Sequence, residues 1–428
     1  MHLRRLAILA LLIATPTLSA ADWPRFRGPA GLGTADDKGV PVAFAPENFL
    51  WKTPIPGKGN SSPIVSKGKV FLQTATESNR SLVCIDAATG KILWSKAVRG
   101  AKAHTNEKNS LASSTPTADG ERVYLVFWDG TRQSLTAWDY AGKQLWDKDL
   151  GGYISQHGPG LSPIVVGDKV IVNVDQDGLA EVKAFDAKTG VLVWTKSRTA
   201  YRASYTTPFV RERDGKTEVI VSSTAGITAY DPKDGAAMWN WTWVWKADPN
   251  APAPKGKGKG GPGGPLRHVA GPILHNGLIF AVSGDGGGDR HMVAIKADNT
   301  GDVTDTALVW EKKRGTSYVP MVLARGEHLF WVTDKENLAV CVDAKTGKEV
   351  WNVRLGGRAA VTASPVMIDG KIYSVSEDGT VYVFAAEKEF DLLAKNELKE
   401  AVYASPAIAD GRLYIRGTSH LFCIGAKK

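Results

Sequence analysis

Residues 61–94 hold the pattern that decides the fold, and they read SSPIVSKGKVFLQTATESNRSLVCIDAATGKILW. Four short apolar runs follow one another here, and Gly, Asn or Asp turns separate them. Short apolar runs bounded by turn residues are typical of β-strands. The stretch therefore predicts a four-stranded antiparallel unit, whose strands we name a to d in chain order.

The same order recurs along the chain. A small residue followed by proline begins each unit, at Pro63, Pro116, Pro163, Pro208, Pro272, Pro320, Pro365 and Pro406. The spacings between these prolines are 53, 47, 45, 64, 48, 45 and 41 residues. Four-stranded repeats of this length match propeller blades better than helical solenoids. The chain is therefore predicted to be an all-β, eight-bladed β-propeller of four-stranded antiparallel blades.

Two further features repeat within the units. The turn between strands c and d has Asp at its start and Gly at its end, as in Asp86-Ala87-Ala88-Thr89-Gly90, which is typical of a structural turn. A tryptophan follows on strand d, at Trp94, Trp146, Trp194, Trp239, Trp310 and Trp351. We expect these rings to wedge between neighbouring blades, because a single blade cannot bury them. The seventh unit departs from the pattern with Leu392-Leu393.

The last unit contains only three strands before the chain ends at Lys428, whereas Trp51 lies upstream of the first complete unit. We therefore predict that residues 49–53 supply strand d of the blade formed by residues 405–424. Closure of a ring in this way also hides the strand edges that an open sheet would expose.

Composition and charge exclude several classes of protein. The 428 residues are 43% hydrophobic and 23% charged, which excludes wholesale disorder. The excess of 53 Lys and Arg over 44 Asp and Glu is spread along the chain, which argues against a nucleic-acid binder. No segment is long enough to cross a bilayer. We expect a monomer.

The N-terminus has the pattern of an export signal. Arg4 and Arg5 precede a short apolar stretch, and small residues lead to Asp22. Residues 1–21 are therefore predicted to be a cleaved signal peptide, and residues 22–428 a single periplasmic or secreted domain. The first cysteine is Cys84, so no cysteine is available for lipid attachment near the cleavage site. Residues 247–265 are predicted to be a flexible low-complexity loop.

The units resemble the repeats of the pyrroloquinoline-quinone-like (PQQ-like) β-propeller superfamily from about Trp23 to the C-terminus. The resemblance is narrowed to exported repeat proteins of the planctomycete type by three motifs, namely WPRFRGP at 23–29, PGKGNSSP at 56–63 and GDVT at 301–304. The superfamily contains quinoprotein dehydrogenases and non-catalytic scaffolds of the BamB type. Fold alone does not separate these functions.

The dehydrogenase interpretation implies a quinone held between an aromatic face and a disulfide of adjacent cysteines, with Ca²⁺ beside it. No two cysteines are adjacent here, and Cys84, Cys341 and Cys423 all occupy one repeat position that favours a small buried side chain. The histidines show no metal-binding spacing. The glycine-rich run 283–289 is interpreted as a b–c turn, with a Ca²⁺ site as the alternative. We therefore predict no cofactor and retain PQQ with calcium as the alternative.

The leading interpretation is a non-catalytic exported propeller that binds an envelope protein. The alternatives are a PQQ-dependent dehydrogenase and a polysaccharide-binding propeller, the latter suggested by the alternating Trp239, Trp241, Trp243 and Trp245. Polar residues in the connections that enter each unit should gather with the b–c turns around one channel mouth. They are either ligand contacts or residues that hydrate the mouth. The candidates are His104, Asn106, Gln156, His157, Tyr201, Arg202, Arg267, His268 and Arg358.

Overall fold

A computed structural model describes residues 22–245 and 264–426. The predicted signal peptide and most of the predicted loop 247–265 lie outside these residues. Within the described ranges the regular structure is β-strand apart from one short 3-10 helix, Pro46–Asn48. None of the helical structure in the described part of the chain is long and apolar enough to cross a membrane.

The strands form eight sheets arranged as successive blades. Blade 1 contains Ile64–Ser66, Lys69–Ala75, Asn79–Asp86 and Ile92–Arg99. Blade 2 contains Thr117–Ala118, Arg122–Trp128, Arg132–Asp139 and Gln144–Gly152. Blade 3 contains Ile164–Val166, Lys169–Val174, Ala180–Asp186 and Leu192–Arg198. Blade 4 contains Phe209–Arg213, Lys216–Ser222, Gly226–Tyr230 and Ala237–Thr242.

The second half of the ring repeats this arrangement. Blade 5 contains Ile273–His275, Leu278–Gly284, Arg290–Lys296 and Leu308–Lys312. Blade 6 contains Leu323–Arg325, His328–Val332, Leu338–Asp343 and Glu349–Arg354. Blade 7 contains Val366–Ile368, Lys371–Val375, Thr380–Ala385 and Leu392–Glu397. Blade 8 contains Ala407–Ala409, Arg412–Arg416, His420–Ile424 and, from the N-terminal part of the chain, Phe49–Pro54. The predicted eight-bladed all-β propeller is confirmed.

The predicted closure is confirmed in its register. Phe49–Pro54 pairs antiparallel with His420–Ile424, and Trp51 lies opposite Cys423. The indole N–H of Trp51 donates to the carbonyl of Ala87 in blade 1 at 3.1 Å. The N-terminal strand therefore completes blade 8 and also bonds to the next blade.

Two blades carry a fifth strand that the repeat pattern did not predict. Thr34–Ala35 adds in parallel to Val366–Ile368 of blade 7. Gly301–Asp302 adds in parallel to Ala237–Thr242, the outer strand of blade 4. Each extra strand is two residues long, which is too short for an alternating hydrophobic pattern.

The repeated tryptophans pack against the turns of neighbouring blades. Trp146 of blade 2 donates its indole N–H to Ala187 O in blade 3 at 3.1 Å, and a Cβ added to Gly190 would lie 2.7 Å from its ring. The same contact joins Trp94, Trp194 and Trp310 to the following blades. The indole therefore occupies the space that a side chain at the turn glycine would fill.

The register of strands c and d explains the repeat position of the cysteines. Cys84 lies opposite Trp94, and Cys341 opposite Trp351. Alanine fills the same position opposite Trp146, Trp194, Trp239 and Trp310. A small side chain at this position leaves room for the indole beside it, in a core packed to crystal-like density. All three cysteines are buried and unpaired.

A chain of hydroxyl groups links the inner strands. In five of the eight blades a Ser or Thr before the proline accepts, through its hydroxyl oxygen, the backbone N–H of the residue at or near the same position in the preceding blade. Ser62 N–H donates to Thr115 Oγ1 at 3.0 Å, and Thr115 N–H donates to Ser162 Oγ at 3.0 Å. Met321 donates in the same way to Ser364, Ser364 to Ser405, and Ser405 to Ser62. The small residue before proline is therefore a link between blades.

Candidate functional site

The centre of the ring holds a cavity of about 460 Å³. Its wall contains the hydroxyl residues before the prolines, among them Ser62, Thr115, Ser162 and Ser364. The b–c turns and the connections that enter strand a lie around its opening, and we call this side of the ring the loop face. Phe26 lies in the lining.

The N-terminal segment, residues 22–35, forms the floor of the cavity. Trp23 exchanges backbone hydrogen bonds with Val65 in blade 1 at 2.8 and 2.9 Å. Arg25 donates from Nη1 to Pro208 O at the start of blade 4, at 3.4 Å. Thr34–Ala35 then pairs with blade 7. The segment therefore runs across the ring from blade 1, past the start of blade 4, to blade 7, and with Phe26 in the lining it makes the cavity a cup.

Arg27 ties this floor to two further blades. Its side chain is 1% exposed, and its guanidinium donates to Val322 O at 2.9 Å and to Pro365 O at 2.8 Å. Burial lowers the pKa of Arg27 to about 9, which leaves the side chain protonated at neutral pH. The buried charge is therefore compensated by backbone carbonyl groups of the ring.

One side of the rim is basic. Arg267 is 6% exposed and donates from Nη2 to Oε1 of Gln156 at 2.9 Å. Arg202 donates from Nη1 to Pro265 O at 3.2 Å. His157 lines the cavity beside them. Burial, followed by the positive charges of Arg267 and Arg202, lowers the pKa of His157 to about 4. The imidazole is therefore neutral at pH 7, beside two guanidinium groups.

Three acidic residues of the rim, Asp285, Asp334 and Asp378, make structural contacts. Asp285 accepts the backbone N–H groups of residues 287, 288 and 289 through one carboxylate oxygen. Both carboxylate oxygens of Asp334 accept hydrogen bonds from Arg290 Nη2, Oδ2 at 2.8 Å and Oδ1 at 3.1 Å. Asp378 accepts bonds from Ser376 and from the N–H of Thr380 in its own turn. These carboxylates hold the loops of the rim in place.

The candidate residues predicted from the sequence are placed as follows. Asn106 and His157 line the cavity, and Gln156, Arg202 and Arg267 are grouped by hydrogen bonds or electrostatic contact on the same rim. His104 and Arg358 are exposed. Tyr201 lies in a separate groove between blades 3 and 4.

His268 lies away from the cavity lining, in contrast to the expectation that it would face the mouth. It is fully buried, and its Nδ1 lies 2.9 Å from the hydroxyl of Ser222. Side chains alternate along an extended chain, and Val269 is the neighbour that lines the cavity. Burial lowers the pKa of His268 to about 3. Asp175, which follows strand b of blade 3, is likewise buried and lies beside Arg198.

The alternating tryptophans extend the packing between blades 4 and 5. Trp239, Trp241 and Trp243 are between 1% and 4% exposed, and only Trp245 of the four is partly accessible. Trp245 stacks on Trp243 with ring centroids 5.6 Å apart. Their indole N–H groups donate to Thr224 O and Ser223 O. Most of this aromatic surface is therefore used inside the protein.

The glycine-rich run 283–289 forms the predicted b–c turn of blade 5, between Leu278–Gly284 and Arg290–Lys296. Across residues 22–245 and 264–426, no group of three or more His, Cys, Asp or Glu side chains is arranged to hold a metal ion. The cysteines lie in three separate blades. The three cysteines therefore do not form the adjacent-cysteine disulfide that the dehydrogenase resemblance implies.

Sequence reasoning missed the floor of the cup and the hydroxyl chain. In the WPRFRGP motif, Arg25 and Arg27 both donate to backbone carbonyl groups of distant blades, and these partners cannot be read from the motif. In the sequence, the hydroxyl residues before proline share their position with Gly271 and Val319, so the repeat shows only a preference for small side chains. Their partners lie one blade away, and a single repeat gives no sign of this contact.

Fold and cavity together define a PQQ-like β-propeller repeat protein. The family model described as outer membrane protein assembly factor BamB matches residues 34–130, 104–339 and 302–390. The chain belongs to this family. No curated protein matches the sequence.

Two solved structures share the fold at low sequence identity. BamB from Moraxella catarrhalis is 14% identical with a TM-score of 0.62, and the match covers 88% of this chain and 99% of that one. A europium-containing methanol dehydrogenase is 12% identical with a TM-score of 0.66, and the match covers 96% of this chain and 99% of that one. The fold is therefore shared by a protein named for assembly and by an enzyme.

Proposed function

We propose that the chain is a non-catalytic binding protein of the cell envelope, which receives a protein partner at the loop face. Membership of the BamB family supports a role in the envelope. The observation that carries the proposal is the cup itself, which is open toward the loops and floored by the chain's own N-terminal segment. A rigid ring that holds varied polar loops around a concave surface is a common form of binding site.

The rim chemistry supports binding rather than catalysis. Two of the three acids that line the cavity, Asp285 and Asp334, are engaged by turn amides and by Arg290, whereas the third, Glu107, is exposed. The guanidinium of Arg290 also lies over the ring of Tyr318, 5.1 Å from its centroid. Lys108 pairs with Glu377 at 2.6 Å across the mouth. The rim thus presents a fixed polar surface whose basic side, at Arg202 and Arg267, suits an acidic segment of a partner.

Site-specific photocrosslinking in the native envelope tests this proposal. A photoreactive residue at His104 or Arg358, both exposed near the mouth, should give a defined crosslinked protein. The same residue at Lys188 or Lys345, in c–d turns on the opposite face, is the control and should give none. Crosslinks confined to the c–d turns would contradict the proposal.

The dehydrogenase alternative is tested separately. Purified protein is mixed with PQQ and Ca²⁺, and the absorbance spectrum of the quinone is recorded before and after addition of a primary alcohol. We expect no saturable spectral change and no reduction of the quinone. Stoichiometric binding followed by alcohol-dependent reduction would contradict the non-catalytic assignment.

A further inference from the structure

One long connection lies over the mouth of the cup. Residues 100–116 join strand d of blade 1 to strand a of blade 2 and form neither helix nor strand. Connections of this length without secondary structure are uncommon in compact domains, and lids over binding sites are among their usual roles. From this connection Asn106, Glu107, Lys108 and Asn109 line the cavity. We call residues 106–109 the strap, because they form a partial roof over the cup.

The strap is tied to the blade 3 side by hydrogen bonds between neutral groups. The backbone N–H of Asn106 donates to His157 O at 3.2 Å, and the side-chain amide of Asn109 donates to the same carbonyl at 2.7 Å. The Asn109 amide also donates to Pro159 O at 3.1 Å. His157 and Pro159 belong to the connection that enters blade 3. Salt has little effect on bonds of this kind, because neither partner carries a charge.

On the far side of the mouth an ion pair closes the gap. Lys108 Nζ lies 2.6 Å from Oε1 of Glu377, which is in the b–c turn of blade 7. Blades 3 and 7 are opposite each other in the ring of eight. Asn60, in the connection that enters blade 1, donates to the Lys108 carbonyl at 3.0 Å. The backbone of the strap is therefore fixed near blades 1 and 3, and the lysine side chain spans the remaining distance to blade 7.

The two partners of this ion pair differ in how firmly they are held. Residues 101–111 contain no buried side chain, and the Lys108 side chain is 42% exposed. Segments without buried apolar contacts open at low cost. Glu377 is 17% exposed, its carboxylate accepts the hydroxyl of Thr362, and its backbone N–H donates to Ala360 O at 2.8 Å. The lysine can therefore leave while the carboxylate stays in place.

We propose that the Lys108–Glu377 pair is a latch that holds the cup closed until a carboxylate of the partner takes the place of Glu377 at Lys108. This inference rests on the proposed function, which brings an acidic segment to the loop face. Glu377 then acts as an internal competitor for the cation that the partner needs. Exposed ion pairs contribute little free energy and are screened by salt, so a partner with several carboxylates can break this one. Exchange of one carboxylate for another also keeps Lys108 paired in both states.

The latch is tested first without a partner. Thr207 lines the cavity, and Thr207→Cys gives an accessible thiol there, since the three native cysteines are buried. The rate at which a maleimide reagent modifies this thiol is measured with and without Lys108→Gln or Glu377→Gln. Either variant should raise the rate about two- to fivefold, which is the range that one exposed ion pair can supply. Rates in both variants equal to that of the unchanged latch would overturn the proposal.

Two controls separate opening of the latch from general loosening. Lys102→Gln breaks an ion pair with Glu77 at 3.4 Å in the same connection, and neither residue lines the cavity. It should leave the labelling rate of Thr207→Cys unchanged, and a rise equal to that of the latch variants would overturn the proposal. Lys188→Cys, in a c–d turn on the opposite face, should react at one rate in all variants.

Affinity for the protein identified by crosslinking tests the exchange of carboxylates. Glu377→Gln should bind this partner about two- to fivefold more tightly than the unchanged protein does, because the competitor is gone. Lys108→Gln also opens the cup but removes the cation, so it should bind more weakly than Glu377→Gln. Equal affinities of the two variants would overturn the exchange. The labelling rates need no partner, so equal rates would show that the latch fails, whereas absence of a crosslinked protein would show that the proposed function fails.

Discussion

The hydroxyl oxygen of Ser62 accepts the backbone N–H of Ser405 at 3.1 Å, which joins the first blade to the last. Further out, Trp51 pairs with Cys423 in the same final blade. The ring is therefore closed in two places. The Ser62 side chain joins the blades at the cavity wall, and the N-terminal strand joins them at the outer edge. Closure at the inner radius holds the cup in one shape before any partner arrives.

The first prediction concerns the hydroxyl chain. Thr115→Val removes the acceptor of the buried Ser62 N–H and should lower the free energy of unfolding by about 1–3 kcal/mol. Thr207→Val is the matched control, because Thr207 precedes the proline of blade 4 in the cavity lining and, among the described residues, no hydrogen bond of its hydroxyl is found. Its effect should be within about 0.5 kcal/mol. Urea unfolding measures both, and equal losses would contradict the role of the hydroxyl chain.

The second prediction concerns the glycine beneath each tryptophan. Gly190 has φ +68°, and a Cβ there would lie 2.7 Å from the ring of Trp146. Gly167 has a similar φ of +58°, but a Cβ there would meet nothing within 4 Å. Gly190→Ala should therefore destabilise the protein by about 1–3 kcal/mol more than Gly167→Ala. Only the Gly190→Ala methyl group is forced against a ring that already fills the space. Thermal or urea unfolding compares the two, and similar losses would show that backbone strain alone matters.

The third prediction concerns pH. The pKa of His268 is about 3 in the folded protein, below the ordinary value of 6.5, because the ring is buried. The unfolded chain therefore binds a proton that the folded protein does not, and stability should fall as the pH drops from about 6.5 toward 3. His157, with a pKa of about 4, adds to this loss until about pH 4.

Urea unfolding at pH 7.5, 6, 5 and 4 measures this dependence. His268→Gln should be less stable at pH 7.5 but should lose less stability on acidification than the unchanged protein. His104→Gln, at an exposed position, is the control and should retain the full dependence. A pH dependence in His268→Gln equal to that of the unchanged protein would contradict the burial argument.

Repetition explains why much of the fold was predictable. Each blade begins with a proline, and most blades also carry a turn glycine and a tryptophan, so a unit that departs from the pattern is recognised from the others. Even the strand order at closure followed from one unmatched residue, Trp51, and a final unit one strand short. Turn residues and short apolar runs are sufficient to predict the fold wherever each strand pairs with the next strand in the sequence.

The candidate site was less predictable, because its contacts are distant in sequence and depend on side-chain direction. Arg27 meets Pro365 and Val322, which lie in blades formed hundreds of residues later. His268 faces the space between blades, whereas Arg267 beside it reaches Gln156 on the rim. A shift of one residue along an extended segment reverses which side chain faces the cavity, and the sequence of a connection does not specify that choice.

The binding role of the loop face is tested most directly with the double variant His157→Ala/Arg202→Ala. Its affinity for the protein identified by crosslinking is measured together with its thermal unfolding. We predict that affinity falls at least tenfold while the variant still unfolds cooperatively with only a modest fall in unfolding temperature, since both residues are half-buried in loops and Arg202 loses its bond to Pro265 O. Unaltered affinity in a folded double variant would contradict the assignment of the loop face as the binding surface.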